Sequence, residues 1–231
     1  MRKRGHIMRV TELFDLTKTA ASPLLERFLY PYEALPYVGE FIRSLGECLD
    51  MRLYRKLSDD VWVAKSADVA PSAFINGPAI IGEGSCVRHC AYIRGAVLVG
   101  KDCVVGNSCE VKNSILFDNV QVPHFNYVGD SILGYASHLG AGAVTSNVKS
   151  DRSEVSTFCG DSRQNAHVKK LGAMLGDYAE IGCGTVLCPG SIIGRNAVVY
   201  PNSVVRGTVA ENSIYKSGDN VVLKREFTRE G

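Results

Sequence analysis

Residues 69–117 read VAPSAFINGPAIIGEGSCVRHCAYIRGAVLVGKDCVVGNSCEVKNSILF, and an apolar residue recurs there at every sixth position. The series consists of Val69, Ile75, Ile81, Val87, Ile93, Val99, Val105, Val111 and Phe117. The same spacing returns at Leu133 and Leu139 and again at Leu175, Ile181, Leu187, Ile193, Val199 and Val205. A period of six fits neither an α-helix nor a hairpin array, but it is typical of short strands joined by tight corners. It predicts an all-β solenoid, a parallel β-helix of hexapeptide repeats whose apolar residues point inward.

The first part of the chain lies outside the repeat and carries helix signals. Ser22 and Pro23 form an N-cap and first-turn pair, and apolar residues recur at helical spacing over 38–49. We therefore expect residues 1–62 to form a small helical cap segment.

The repeat itself is expected over residues 63–210, and a C-terminal tail over 211–231. Between 145 and 174 the hexads stop for about thirty residues, in a polar stretch. A loop of that length inside a regular solenoid is uncommon and usually functional.

Composition narrows the classes of partner. The 231 residues carry 26 basic and 24 acidic side chains, a formal charge of +2 that is too small for a nucleic-acid-binding face. No stretch approaches the roughly 20 apolar residues of a membrane span, and the N-terminus lacks the apolar core of a signal peptide. We expect a cytoplasmic protein that binds neither nucleic acid nor membrane.

The eight cysteines are scattered singly, which fits a reduced compartment where Cys acts as a small apolar residue. Cys86, His89 and Cys90 form the one tight cluster, and they could begin a zinc site or simply line the wall of a repeat. No matching second half follows downstream, so the sequence predicts no metal site.

Two cations stand at hexad corners where Gly or Ala is usual. Arg94 and Lys112 are eighteen residues apart, so three hexads per coil would stack them in one column on adjacent coils. There they would repel each other unless an anion such as a phosphate bound between them. Alternatively, the side chains point into solvent or pair with Glu110 or Asp118.

The regular hexads break at VPHFNYVGD, residues 122–130, where the next apolar residue comes early. An irregularity in a regular repeat is a place to seek function. His124 lies at this break, near Tyr127 and Asp130, and histidine is the side chain that most often acts as a general base. A lone histidine is nevertheless more often structural than catalytic.

Four motifs carry a family resemblance: YIRGA with Arg94, EVKNS with Lys112, VPHFNYVGD with His124 and Tyr127, and LGAGAVTSN with Asn147. In this order and spacing they resemble the acetyltransferase half of the bifunctional N-acetylglucosamine-1-phosphate uridyltransferase and glucosamine-1-phosphate acetyltransferase. They are also similar to the archaeal sugar-phosphate nucleotidyl- and acetyltransferases.

The resemblance covers about residues 69–210. It implies a left-handed β-helix assembled as a homotrimer, with acetyl-CoA as co-substrate and an amino-sugar 1-phosphate, of glucosamine or galactosamine, as acceptor at the subunit boundaries. The implied roles are catalytic base for His124, phosphate binding for Arg94 and Lys112, sugar binding for Tyr127 and Asn147, and the border of the acetyl-CoA path for Ala141 and Cys183.

The chain also departs from the family pattern. His138 replaces a family asparagine, and Ser153 replaces a loop lysine whose role Lys149 or Arg152 could take. These positions touch the acceptor region, so another amine, such as a nucleotide-linked amino sugar, stays open. A non-catalytic β-helix that binds a sugar phosphate is a further alternative. The N-terminal segment has no Gly-rich phosphate loop, so we expect no nucleotidyl transfer.

Overall fold

The computed structural model describes residues 7–159, 161–217 and 220–224. The chain forms a left-handed parallel β-helix of about nine turns, which confirms the predicted solenoid of hexapeptide repeats. Each coil has three short sides, and strands of successive coils pair in parallel to make three faces. None of the helices in these ranges is long and apolar enough to cross a membrane.

The faces are defined by their strands. The first contains Val61–Ala64, Ala79–Ile81, Val97–Val99, the C-terminal parts of Glu110–Leu116 and Tyr127–Leu133, Ala173–Leu175, Ser191–Ile193 and Thr208–Val209, with Tyr54–Ser58 antiparallel at its edge. The second contains Asp68–Val69, Cys86–Val87, Val104–Asn107, Gln121–His124, His138–Leu139, Glu180–Ile181, Val198–Val199 and Ser213–Ser217, with Asn220–Leu223 antiparallel at its edge. The third contains Phe74–Ile75, Tyr92–Ile93, the N-terminal parts of Glu110–Leu116 and Tyr127–Leu133, Val144–Thr145, Val186–Leu187 and Val204–Val205.

The N-terminal segment lies along the first face. Its α-helices are Val10–Leu13, Ser22–Leu25 and Val38–Glu47, and its 3-10 helices are Leu16–Lys18 and Pro31–Tyr37. The longest helix packs so closely that a methyl group on Gly46 would lie 2.5 Å from the Trp62 ring. The segment therefore covers a side of the solenoid.

The N-terminal segment covers this side because the first face carries large apolar side chains at the positions between the inward-pointing ones. The row, one residue per coil, is Ile80, Leu98, Ile115, Ile132, Met174 and Ile192, and each is at most 3% exposed. Burying an apolar side chain of this size contributes about 1.5–3 kcal/mol, so a bare face would be strongly destabilised.

Two segment boundaries differ from the predicted ones. Residues 1–62 are not helical throughout, because Tyr54–Ser58 and Val61–Ala64 already form an antiparallel pair that begins the first face. Residues 211–231 do not all form a tail, because Ser213–Ser217 pairs in parallel with the preceding coil.

The coils are not all of one length. Ile93 pairs with Val111, eighteen residues later, but Leu116 pairs with Val99, seventeen residues away. Phe117 was predicted to point into the solenoid, and this is wrong: it packs against Phe14 of the N-terminal segment, with ring centroids 5.0 Å apart. The missing residue shortens the corner at Lys112–Asn113.

The predicted insertion contains structure of its own. Ser156–Cys159 and Ser162–Asn165 form an antiparallel hairpin, and an isolated bridge between Val148 and Lys170 closes the base of the segment. The first hairpin strand packs on the first face near Ser191–Ile193. The insertion thus lies against the solenoid.

Candidate functional site

The two predicted phosphate ligands lie on adjacent coils. Because Ile93 pairs with Val111, Arg94 and Lys112 stack at the corner that ends the third face. We call the residues Arg94, Lys112, Asn113, Gly129, Asp130 and Asn147 the lysine corner. Each cation there contacts a carboxylate: Arg94 Nη1 lies 2.7 Å from Glu110 Oε1, and Lys112 Nζ lies 3.2 Å from Asp130 Oδ2. The ion pair with Glu110 raises the pKa of the Arg94 guanidinium above its usual value.

Asp130 is the centre of the lysine corner. Its side chain is 4% exposed, and its backbone has a φ of +49° at the shortened corner. Asn113, also left-handed with a φ of +44°, donates from Nδ2 to Asp130 Oδ1 at 2.8 Å. Asn147 donates from Nδ2 to Asp130 Oδ2 at 2.5 Å, and Lys112 completes the set. A buried carboxylate with these donors orients all three side chains before any ligand binds.

Tyr127 joins this network from the strand before the corner. Its Oη accepts a hydrogen bond from Asn147 Nδ2 at 3.1 Å. Burial, and then the charge of Asp130, raise the pKa of the Tyr127 phenol. Gly129 leaves room for the phenol, because a methyl group there would lie 2.5 Å from Tyr127 Oη.

A second corner, at the start of the third face, holds His124. Gly142 N donates to His124 O at 2.9 Å and Gly184 N donates to Ala141 O at 2.8 Å. These bonds stack His124, Ala141 and Cys183 in one column on successive coils. Asn107 pairs with His124 one coil earlier, and His89 precedes Asn107 in the same column. We call His124, Ala141 and Cys183 the histidine corner.

The backbone of His124 is held firmly while its ring is left open. His124 N donates to Asn126 Oδ1 at 3.0 Å, and the buried Asn126 amide donates to Gly140 O and Ala143 O at 2.8 and 3.0 Å. The His124 side chain is exposed, and within the described ranges its imidazole makes no hydrogen bond or ion pair. An open imidazole at a rigid corner can take a proton from a ligand that settles on it.

Lys112, Tyr127 and Asn147 belong to one hydrogen-bond network, and Arg94 lies on the preceding coil. It sets His124, Ala141 and Cys183 apart, at the opposite end of the third face. Glu110, named from the sequence as one alternative partner of the cations, pairs with Arg94. Asp118, the other, instead accepts a hydrogen bond from Lys101 N at 2.7 Å.

Sequence reasoning missed Asn113 altogether and treated Asp130 as a neighbour of His124. The spacing of the apolar residues could have identified Asn113 and Asp130, because the repeat is one residue short at each of these two positions.

The positions that depart from the family pattern have their own partners. His138 Nδ1 lies 2.9 Å from Glu180 Oε2 on the outer side of the second face. Lys149 contacts Ser153 Oγ and donates to Glu154 O at 3.2 Å, within its own loop. Arg152 is exposed. Neither cation makes a described contact with Asp130.

In the cluster of Cys86, His89 and Cys90, the two cysteines have separate partners. Cys86 Sγ lies 3.9 Å from Asp68 Oδ2, and the backbone of Cys90 bonds to Ser72 Oγ at 3.2 Å. Among the residues that the structure describes, no three His, Cys, Asp or Glu side chains are grouped so that they could hold a metal ion.

Residues 75–215 match the family described as the GMPPB C-terminal domain. A bifunctional protein GlmU of Methanococcus maripaludis is 33% identical over 113 residues, which is 48% of this chain and 27% of that protein. A bifunctional sugar-1-phosphate nucleotidylyltransferase/acetyltransferase of Sulfurisphaera tokodaii is 32% identical over 103 residues, 45% of this chain and 26% of that protein.

The chain thus spans about a quarter of the length of these curated relatives. Among solved structures, a putative acetyltransferase of Bacillus cereus has a TM-score of 0.40 and 20% identity. That match covers 73% of this chain and 78% of the other.

Proposed function

This chain belongs to the GMPPB C-terminal domain family, and from that premise we propose that it is an acetyl-CoA-dependent N-acetyltransferase of an amino-sugar 1-phosphate. One relative, from Sulfurisphaera tokodaii, is named as an acetyltransferase and is 32% identical to this chain over 103 residues. The observation that carries the proposal is the pair of corners on the third face, one with an open imidazole and one with oriented cations.

At the histidine corner, the proposed step is aminolysis of a thioester. The neutral amine of the acceptor attacks the carbonyl carbon of acetyl-CoA, a C–N bond forms, and the C–S bond breaks. His124 takes the proton that the amine loses, and the thiolate of CoA leaves and is protonated. Ala141 and Cys183 are small residues stacked on the next two coils, which leaves space for a narrow acyl-bearing chain beside the imidazole.

At the lysine corner, the proposed role is recognition of the acceptor. Arg94 presents a forked guanidinium and Lys112 a compact ammonium, and the two together suit a phosphate. Asp130 is a positioning residue, because its oxygens already accept hydrogen bonds from three donors of the protein. Tyr127 and Asn147, tied to each other, would contact the sugar.

We also propose a homotrimer, with the site completed at subunit boundaries. The outer surface of the third face supports this, because it carries exposed apolar side chains, among them Phe74 and Val204, 62% and 65% exposed. Sedimentation should give about 75 kDa, three times the 25.0 kDa chain. An active monomer would contradict shared sites.

A second candidate is a β-helix that binds a sugar phosphate without catalysis. It is favoured by the carboxylate partners of Arg94 and Lys112 and by the imidazole of His124, which has no orienting partner among the described residues.

One experiment separates the two candidates. CoA release from acetyl-CoA is measured across amino sugars, their 1-phosphates and nucleotide-linked amino sugars. We expect turnover that is highest with glucosamine 1-phosphate or galactosamine 1-phosphate. Binding of a sugar phosphate with no CoA release from any amine would favour the scaffold, and preference for a nucleotide-linked sugar would change the acceptor.

A further inference from the structure

A cavity of about 330 Å³ lies between the N-terminal segment and the corner where the first face ends. Apolar side chains line it from both sides: Leu45 and Leu49 from the longest helix and the turn after it, and Ile80 and Leu98 from the first face. The lysine corner precedes the strands of that face, whereas the cavity lies where they end. The cavity is therefore distinct from the proposed acceptor site.

Two ionisable side chains, Lys101 and Asp118, also line the cavity. Lys101 is paired with Glu83, with Nζ 2.9 Å from Oε1, so these two charges offset each other. Asp118 Oδ1 accepts from Lys101 N at 2.7 Å, but among the described residues no group donates to its Oδ2. Asp118 thus offers the cavity a carboxylate oxygen for which the described chain supplies no partner.

The phenol of Tyr54 is the second polar group in the lining without a partner. Tyr54 is only 9% exposed, yet in the part of the chain that the structure describes its hydroxyl makes no hydrogen bond. A buried phenol normally has such a bond, because losing water without a replacement costs free energy. Burial, and then the charge of Glu83, raise the pKa of the phenol, so the group stays protonated and can donate. The charge of Asp118 also acts on it, which places the two unpartnered groups near each other.

We propose that this cavity binds a small organic amine with an apolar body, whose ammonium group contacts Asp118 and Tyr54. The apolar walls favour carbon over a hydrated ion, and the carboxylate favours a cationic donor. Lys18 also acts on Asp118, but its ammonium lies over the Tyr135 ring, 5.3 Å from the centroid, and does not line the cavity. A volume of about 330 Å³ is at the lower end of small-molecule sites, which restricts the ligand to a small one.

Trp62, the one tryptophan of the chain, can report the ligand. It pairs with Ile80 on the neighbouring strand, and Ile80 pairs with Leu98, so the buried indole adjoins the cavity wall. The test is titration of the full chain with 2-phenylethylamine while indole emission and Tm are followed. The comparison ligand is 2-phenylethanol, which has the same body with a hydroxyl in place of the ammonium. We expect the amine to bind at least about tenfold more tightly than the alcohol and to raise Tm.

Asp118→Asn tests the charge directly. The amide oxygen can still accept from Lys101 N, so the variant should fold, yet it should weaken amine binding at least about tenfold and leave alcohol binding within about twofold. Asp102→Asn is the matched control, because Asp102 is an exposed carboxylate one coil earlier at the same corner and does not line the cavity. Tyr54→Phe removes only the hydroxyl and should weaken amine binding about threefold or more.

Three results would overturn the proposal: no change in indole emission or Tm with the amine at about 5 mM, equal affinity for amine and alcohol, or equal amine affinity of Asp118→Asn and Asp102→Asn. Melting of each variant without ligand shows whether it is folded. If Asp118→Asn does not fold, the comparison of amine with alcohol on the wild type still decides. None of these measurements contains acetyl-CoA, so the proposed acetyltransferase stands or falls separately.

Discussion

The histidine corner and the lysine corner end the same short face and are built in opposite ways. At the lysine corner, one buried carboxylate accepts from Lys112, Asn113 and Asn147, so the polar side chains are oriented in advance. At the histidine corner, the hydrogen bonds fix the backbone, and the His124 ring stays open. We infer that residues of the lysine corner act as a unit, whereas His124 acts singly.

The largest effect is expected from removal of the His124 imidazole. His124→Ala should lower kcat by about 10² to 10⁴, because a lost general base typically costs that much. CoA release measured with a thiol reagent reads this directly. His89→Ala is the matched control, since His89 is an exposed histidine of the same column and should leave the rate unchanged. Near wild-type turnover by His124→Ala would remove it from catalysis.

Removal of a cation tests the other corner. Lys112→Ala and Arg94→Ala should each raise KM for the acceptor about 10- to 100-fold, because a charge-assisted hydrogen bond to phosphate is lost. KM for acetyl-CoA should stay nearly constant, which initial rates at varied concentrations of both substrates would check. If the variants and wild type use phosphorylated and unphosphorylated amino sugars equally well, the corner does not bind phosphate.

Double-mutant cycles test whether the two corners act independently. Lys112→Ala combined with Asn147→Ala should deviate from additivity by about 1–2 kcal/mol in kcat/KM, because both side chains are held by Asp130. His124→Ala combined with Lys112→Ala should be additive within about 0.5 kcal/mol. Three single variants and two double variants, compared with the wild type, suffice for the measurement. Equal coupling in the two cycles would mean that the corners are not independent.

The smallest effect is expected from Gly129→Ala. The added methyl group would meet Tyr127 Oη, the mobile end of a side chain, so the phenol should turn away while the fold persists. We expect a rise in acceptor KM of about threefold and a change in Tm of at most about 4 °C. Gly39→Ala, where the new methyl group would have ordinary contacts at 3.7 Å, is the control. An unchanged KM would separate Tyr127 from acceptor binding.

The period of six in the sequence determines the fold class. It places apolar residues such as Ile81 and Ile93 inside the solenoid, and both are fully buried. It also stacks residues eighteen apart, as the pairing of Ile93 with Val111 requires for Arg94 and Lys112. Where the hexads are regular, the stacking of residues on neighbouring coils depends only on this local spacing, so the sequence alone determines it.

The tertiary structure determines which residues face inward where the strand register changes, and which distant segments contact each other. The shortened corners at Asn113 and Asp130 change which residue faces inward, and a strict count of six therefore misplaced Phe117. Contacts such as that of Phe14 with Phe117, or of Arg206 with Phe158, join residues with no fixed spacing. Such contacts depend on which distant segments pack together in three dimensions. The period of a sequence does not specify this packing.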